Sequence, residues 1–197
     1  MLLRGNFLRR LSLHEVQEMV SHFSSGGKCE ADKEALYALT LDDEPRVSVN
    51  AFWVFTHFDD AHNEWLYRYH DDLINRVMVE ENVTKRRLML TLLLRQPFEE
   101  ENLCADFIDY CVNHITACSQ PYAIRACCLK LAYEQMRFYV ELLAELQSTL
   151  EMLSQEPLSP GLASAKRQIE KKIKRGCVKS KKHLQYKSKL ATLVKYT

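Results

Sequence analysis

The amino-acid sequence predicts an all-α fold in which about four helical hairpins stack into a superhelix. Apolar positions recur with a 38-residue period, and each period carries two stripes at helical spacing, as expected of tandem helix pairs. No segment alternates apolar and polar residues over the length of a half-buried strand. The recurring positions are predicted helix starts (Pro45, Val83, Pro121), inner positions of the helices that follow (Phe55, Leu93, Leu131) and positions in the preceding helices (Val77, Ile115, Leu153).

Local start signals justify the individual helices. Ser12 and Glu15 form a capping-box pattern that begins the first helix, with Leu11 and Val16 as a hydrophobic staple. Pro45 suits a first helical turn, because proline lacks a donor that would be unsatisfied there anyway. The short connections predict antiparallel packing of successive helices. The predicted helices cover residues 12–23, 29–41, 46–58, 62–80, 84–95, 101–118, 121–136, 139–154 and 160–175.

The one linker-like stretch, residues 154–161, falls where the period places a turn between helices. Ser159 and Pro160 suit the N-cap and first turn of a last helix. The sequence therefore predicts one domain over residues 1–175. A basic C-terminal tail, weakly ordered or helical, is predicted over residues 176–197.

Composition is typical of a globular protein, with 47% apolar and 27% charged residues among 197. The apolar run over residues 88–94 is far shorter than the roughly 20 residues of a membrane span. The first residues lack the apolar core of a signal peptide, so we expect a cytoplasmic protein. The seven cysteines lack zinc-site spacing, and we expect them to pack as free thiols.

Charge is divided unevenly along the chain. From Gly161 onward there are twelve basic residues and one acidic residue, so this segment carries +11 although the whole chain carries +1. Such a segment could bind nucleic acid in a salt-sensitive way. It could equally be the solvated outer face of a terminal repeat, or neutralise the acidic remainder of the chain. The candidate nucleic-acid contacts are Lys166, Arg167, Lys171, Lys172, Lys174, Arg175, Lys181 and Lys182.

Residues 121–129, with a turn proline, then Arg125 between small and large apolar residues, resemble the HEAT/ARM class of α-solenoid repeats. Residues 83–93 match that pattern less well and residues 45–55 depart further. The resemblance covers roughly residues 29–175 and implies a binding or scaffold architecture, since fold does not define activity. More distantly, the chain is similar to the HEAT-like DNA alkylation-repair glycosylases.

Arg87 and Arg125 occupy the same position in successive periods. With repeats about 10 Å apart, the two could form a basic ladder that binds phosphates or an acidic peptide. Alternatively, each could pair with an acidic residue of a turn, as an arginine here does in HEAT-like repeats.

Asn50, Trp53 and His57 share one face of the predicted helix 46–58, and Arg95 and Tyr133 occupy equivalent places in later periods. Such a strip could hold a peptide side chain or a flipped base. The tryptophan could instead pack between repeats.

Two histidines and two aspartates lie within residues 57–62 and could act as metal ligands. Asp59 and Asp60, however, sit at a predicted helix start, where acidic residues cap backbone donors. The sequence has no phosphate-binding glycine loop, nucleophile elbow or paired catalytic carboxylates. We therefore expect no catalytic residue, no cofactor and no metal.

These observations favour a non-catalytic binding or scaffold module. A protein or peptide partner would sit on the concave face formed by helices 46–58, 84–95, 121–136 and 160–175. The alternative is a nucleic-acid-binding protein, resembling the alkylation-repair glycosylases, with Trp53 or Trp65 stacking on a base and Asp59 or Asp60 stabilising charge on the sugar.

Overall fold

The computed structural model describes residues 4–24 and 29–176 of the chain. Contacts divide the chain into two compact units, Met1–Glu99 and Glu100–Thr197. Within the described ranges there are helices and turns but no strand, so the predicted all-α class is confirmed. No helix in these ranges is long and apolar enough to cross a membrane. The single domain over residues 1–175 remains a prediction, and residues 177–197 of the predicted tail lie outside the described part.

The first unit contains seven α-helices and a 3₁₀ segment among its described residues. They are α1 (Arg4–Phe7), α2 (Leu13–Ser24), α3 (Cys29–Leu39), α4 (Pro45–Thr56), α5 (Asp60–Asn63), the 3₁₀ segment Glu64–Tyr69, α6 (His70–Val79) and α7 (Val83–Leu93). Helix α4 lies at the centre of this unit and packs against α1, α2, α3 and α7.

The second unit begins with a 3₁₀ turn, Glu100–Asn102, and continues as four α-helices over its described residues. Its helices are α8 (Ala105–Thr116), α9 (Tyr122–Met136), α10 (Val140–Leu153) and α11, described over 160–176. Helix α8 packs closely on α9, and α10 packs on both. The helix predicted over 101–118 begins later than expected, at Ala105, because a 3₁₀ turn precedes it.

The predicted start of α2 is confirmed in detail. The Ser12 amide donates to the Glu15 carboxylate at 2.8 Å, and the Glu15 amide donates to the Ser12 hydroxyl at 3.3 Å. Leu11 and Val16, the two staple residues, are both buried. Bonds from Arg9 and then Ser12 lower the pKa of Glu15 to about 2, since both favour the ionised carboxylate.

The 38-residue period also sets the starts of the second helices, at residues 45, 83, 122 and 160. Three of these starts have a side-chain cap. The Glu44 carboxylate accepts from the Arg46 amide at 3.4 Å, and Asn82 lies one 38-residue step later. Asn82 accepts from the Lys85 amide at 3.0 Å, and Ser159 accepts from the Leu162 amide at 3.3 Å. The recurring apolar positions form the core, because Phe55, Leu93 and Leu131 are fully buried, each within its own unit.

The predicted continuous helix 62–80 is wrong, because the chain winds more tightly between α5 and α6. Tyr69 stacks on Tyr37 at 3.7 Å between ring centres, and Trp65 stacks on Phe55 at 6.1 Å. The Asn63 amide also donates to the Arg95 carbonyl at 3.2 Å. Packing of these side chains onto α3 and α4 overrides the local helical pattern, which contains no glycine or proline to mark the break.

Candidate partner-binding surface

Helices α4 and α7 run parallel, side by side, in the first unit. Their starts meet, because Pro45 and Asn82 line the same cleft. Their ends also meet, because Arg95, just beyond α7, donates to the Thr56 and Phe58 carbonyls at 3.4 and 2.7 Å. Parallel neighbours bring period-related residues to the same level of the two helices.

The sides of these helices that face solvent form one surface, which we name the α4–α7 face. Its six residues are pairs related by the 38-residue period: Arg46 with Thr84, Val49 with Arg87, and Trp53 with Thr91. Arg46, Thr84 and Arg87 are exposed and the other three are half-buried. The opposite sides of both helices are buried in the core.

A shallow cleft of about 480 Å³ opens at the helix-start end of this face. Its lining includes Arg10, Arg46 and Asn50, together with Glu44 as its acidic residue. The first turns of α4 and α7 also border the cleft, and helix starts carry a partial positive charge. The cleft is therefore more favourable for an anionic group than for a cationic one.

Trp53 is held in place by its own helix. Its indole meets the His57 ring edge-on at 5.7 Å between centres, and the Trp53 carbonyl accepts from His57 Nδ1 at 2.9 Å. Thr56 donates its hydroxyl to the same carbonyl at 2.7 Å. The predicted strip thus contributes a preorganised, half-buried aromatic residue to the α4–α7 face.

Asn50, the third member of that strip, is only 7% exposed. Its amide donates to the Phe7 carbonyl at 2.9 Å and to the Arg9 carbonyl at 2.8 Å. These two bonds tie the N-terminal segment to α4. The donor group of Asn50 is therefore occupied within the first unit.

Several arginines donate to carbonyl groups at helix ends, which have no partner within their own helix. Arg95 does so at the end of α4 and also pairs with Asp60 at 3.0 Å. Arg76 donates to the Thr40 carbonyl, just after α3, at 2.7 Å. Arg86 donates through Nε to the Glu80 carbonyl, just after α6, at 2.9 Å.

Arg125 has the same function in the second unit. It is 2% exposed and donates through Nε to the Ile115 carbonyl, in the last turn of α8, at 2.8 Å. It also pairs with Glu156 at 2.8 Å, and this bond lowers the pKa of the Glu156 carboxyl. For Arg125 the structure thus has the turn-acid pairing that was one of the two alternatives.

Arg87 differs from Arg125 although one 38-residue period relates the two. Its side chain is exposed on the α4–α7 face. Arg86 and Arg125 are each the fourth residue of their helices, because α7 begins at Val83 and α9 at Tyr122. The structural equivalent of Arg125 is therefore Arg86, so the predicted ladder combined arginines of different function.

The residues between α4 and α5 cap helices. Asp59 accepts from the His62 amide at 2.8 Å as the N-cap of α5, and this bond lowers the pKa of the Asp59 carboxyl. The His62 ring contacts the same carboxylate at 2.7 Å, and Asp60 is held by Arg95. Over residues 4–24 and 29–176, no three His, Cys, Asp or Glu side chains are grouped to hold a metal ion.

The remaining aromatic candidates are not members of this face. Trp65 is 7% exposed and packs among Tyr37, Phe55 and Tyr69. Tyr133 is half-buried in the second unit, where the Lys172 ammonium lies 4.9 Å from its ring centre.

The basic candidates on α11 fall into two groups. Lys166 pairs with Glu170, and Lys172 pairs with Glu134 at 2.9 Å. The others are exposed and have no ion-pair partner among the described residues: Arg167, Lys171, Lys174 and Arg175. Lys181 and Lys182 lie outside the described part.

Sequence reasoning missed Arg46, Val49, Thr84 and Thr91. The signal was present, because each lies one 38-residue step from another member of the face and the two helix starts share that step. The period was applied to the apolar positions, to Arg87 and to the strip of Trp53, but not to the other exposed positions of these two helices.

No curated protein and no solved structure matches the chain. The family model of the HEAT repeat domain, however, matches residues 3–173. That range contains both the buried 38-residue register and the arginines at the helix ends, and the chain therefore belongs to the HEAT repeat family.

Proposed function

We propose that the chain is a non-catalytic binding or scaffold module whose macromolecular partner docks on the α4–α7 face. Membership of the HEAT repeat family indicates a protein-interaction scaffold. The α4–α7 face lies on α4 and α7, the second helices of their repeats, and the sequence predicts that these second helices form the concave face. The free thiols of the described cysteines suit a reducing compartment, so we place the module in the cytoplasm.

The observation that carries this proposal is the half-buried Trp53 beside an exposed arginine on parallel helices. Tryptophan and arginine dominate the binding energy of protein interfaces, particularly when a rigid element holds them. His57 fixes the Trp53 ring, and Arg87 lies one helical turn from the level of Trp53. A ligand would therefore meet groups already ordered, at a small entropic cost.

The charges around Trp53 indicate which partner suits the face. Arg46 and Arg87 are exposed on it, and Arg10 lines the adjoining cleft. The positive ends of α4 and α7 add to them at the cleft. We therefore propose a protein segment with one apolar anchor for Trp53 and acidic residues flanking that anchor.

A displayed library of random peptides tests this proposal with the full chain as bait. Selected peptides are expected to combine apolar with Asp or Glu residues. Trp53→Ala and Arg87→Glu should each weaken their binding roughly tenfold or more. Tyr139→Ala, at an exposed aromatic residue of the second unit, is the matched control and should leave binding unchanged.

Peptides that bind both face variants as tightly as the unaltered chain would refute the α4–α7 face as the docking site. Equal losses in Tyr139→Ala would also refute it, since the effect would then not be local. The nucleic-acid-binding alternative that the sequence predicts places Trp53 or Trp65 against a base, and phosphates on the arginine ladder and the basic C-terminal residues.

A further inference from the structure

We infer that the solvent-facing side of α11 binds the phosphate backbone of duplex nucleic acid, a function separate from partner docking on the α4–α7 face. The surface consists of Arg167, Lys171, Lys174 and Arg175, which we name the basic stripe. All four side chains are exposed.

Helix periodicity places the basic stripe opposite the core. The buried residues of α11, at most 2% exposed, are Leu162, Ala165, Ile169 and Ile173. At about 100° per residue these four share one side of the helix, and the basic stripe falls on the other. The stripe therefore points away from the second unit's core, where a large ligand can reach it.

The charges of the basic stripe are not neutralised by ion pairs among the described residues of the second unit. Residues 161–176 hold six basic residues and one acidic residue, Glu170. Glu170 is bound by Lys166, and Glu134 takes Lys172. Lys174 shares a cleft of about 290 Å³ with Glu151 and Glu170, whose carboxylates partly offset its charge. Arg167 and Lys171 do not line that cleft, and these two residues are therefore chosen for substitution.

The spacing of the stripe suits a phosphate backbone. Arg167, Lys171 and Arg175 recur at every fourth position, about 6 Å per step along the helix axis. A duplex presents about one negative charge per 1.7 Å of its axis, so several phosphates lie within reach of a row about 12 Å long. Arg and Lys are the side chains that make such contacts.

Duplex fits better than single strands or an acidic protein. Residues 160–176 contain no aromatic residue, so this surface has no platform on which unpaired bases could stack. The sequence beyond it, residues 177–197, adds six lysines and no acidic residue, and its two tyrosines lie outside the described surface. A run of one charge sign this long matches the uniform charge of a duplex rather than the mixed surface of a protein.

Fluorescence anisotropy of the full chain with a labelled random-sequence DNA duplex, across a salt series, tests the inference. The stripe variant Arg167→Gln/Lys171→Gln lowers the net charge by two. The control variant Gln17→Glu/Gln155→Glu lowers it equally at exposed positions that are not part of the stripe.

The stripe variant should bind roughly tenfold or more weakly at 0.1 M salt, and the slope of log K against log salt should become shallower by about 1.8, two contacts at about 0.9 each. The control variant should change neither quantity. Urea unfolding of both variants confirms that the fold is intact.

Four results would overturn the inference. The full chain could fail to bind duplex at low salt, or both variants could lose affinity equally. Alternatively, neither variant could lose affinity, and that result would assign binding to residues 177–197. Displacement of the duplex by polyglutamate at the same charge concentration would assign the stripe to acidic proteins. None of these results depends on Trp53. Failure of the duplex test therefore leaves the proposed docking on the α4–α7 face untouched, and failure of the peptide test leaves the basic stripe untouched.

Discussion

Replacement of Arg125 by alanine is the sharpest test of the arginines at helix ends. The side chain is 2% exposed and satisfies the Ile115 carbonyl at 2.8 Å. An unsatisfied buried acceptor costs about 1–3 kcal/mol. The vacated volume adds about 1 kcal/mol or more, because the surrounding structure relaxes only partly.

The ion pair adds less to that cost. Glu156 is 29% exposed and regains water when Arg125 is removed, so its loss is worth at most about 1 kcal/mol. The expected destabilisation of Arg125→Ala is therefore about 3 kcal/mol. Arg125→Met keeps most of the volume and should cost about 2 kcal/mol, which isolates the polar contribution.

Urea unfolding followed by helical circular dichroism measures these free energies. Arg87→Ala is the matched control, because Arg87 is exposed and its loss should cost no more than about 0.5 kcal/mol. If Arg125→Ala and Arg87→Ala lower the midpoint equally, the buried arginine does not stabilise the end of α8 and the reasoning is wrong.

Three further predictions use the same unfolding assay. Because the pKa of Glu156 is lowered in the fold by Arg125, its stabilisation is present above the unfolded-state pKa and is lost as pH falls through the folded-state pKa. The unfolding midpoints of Glu156→Gln and the unaltered chain should therefore converge on acidification, and a pH-independent gap would contradict this. Asn50→Ala removes both bonds to the N-terminal segment and should cost about 2 kcal/mol; a loss below about 0.5 kcal/mol would mean that the segment is held by other contacts. Ser12→Ala removes one half of the capping box and should cost about 1 kcal/mol, whereas Ser12→Asp should restore most of it.

The fold was largely predictable because its main determinants are local and repeated. Each second helix begins within one position of the 38-residue step, since caps and first-turn residues recur with the apolar stripes. The capping box at Ser12 is likewise contained between Ser12 and Glu15. Signals of this kind depend on neighbours in the sequence, so they remain visible without the tertiary structure.

The misses come from contacts between distant residues. Helix 62–80 breaks because Trp65 and Tyr69 pack on aromatic residues of other helices, and Asn50 is engaged by the carbonyls of Phe7 and Arg9 near the start of the chain. The aromatic packing and the Asn50 bonds both join residues that are far apart in the sequence, so no local pattern indicates them. The equivalence of Arg87 and Arg125 failed for a smaller reason, since α9 begins one position later than a strict 38-residue step requires.

Two groups of arginines are central to this account. Those at helix ends donate to carbonyl groups of neighbouring helices, and those on exposed helix sides are accessible to solvent. Arginine-selective chemical labelling of the native full chain, with modification at each site followed by mass spectrometry, tests this division directly. Arg46 and Arg87 should react at the rate of exposed residues, and Arg125 should react only when the protein is unfolded by urea. Labelling of Arg125 in native protein at the rate of Arg87 would contradict the division.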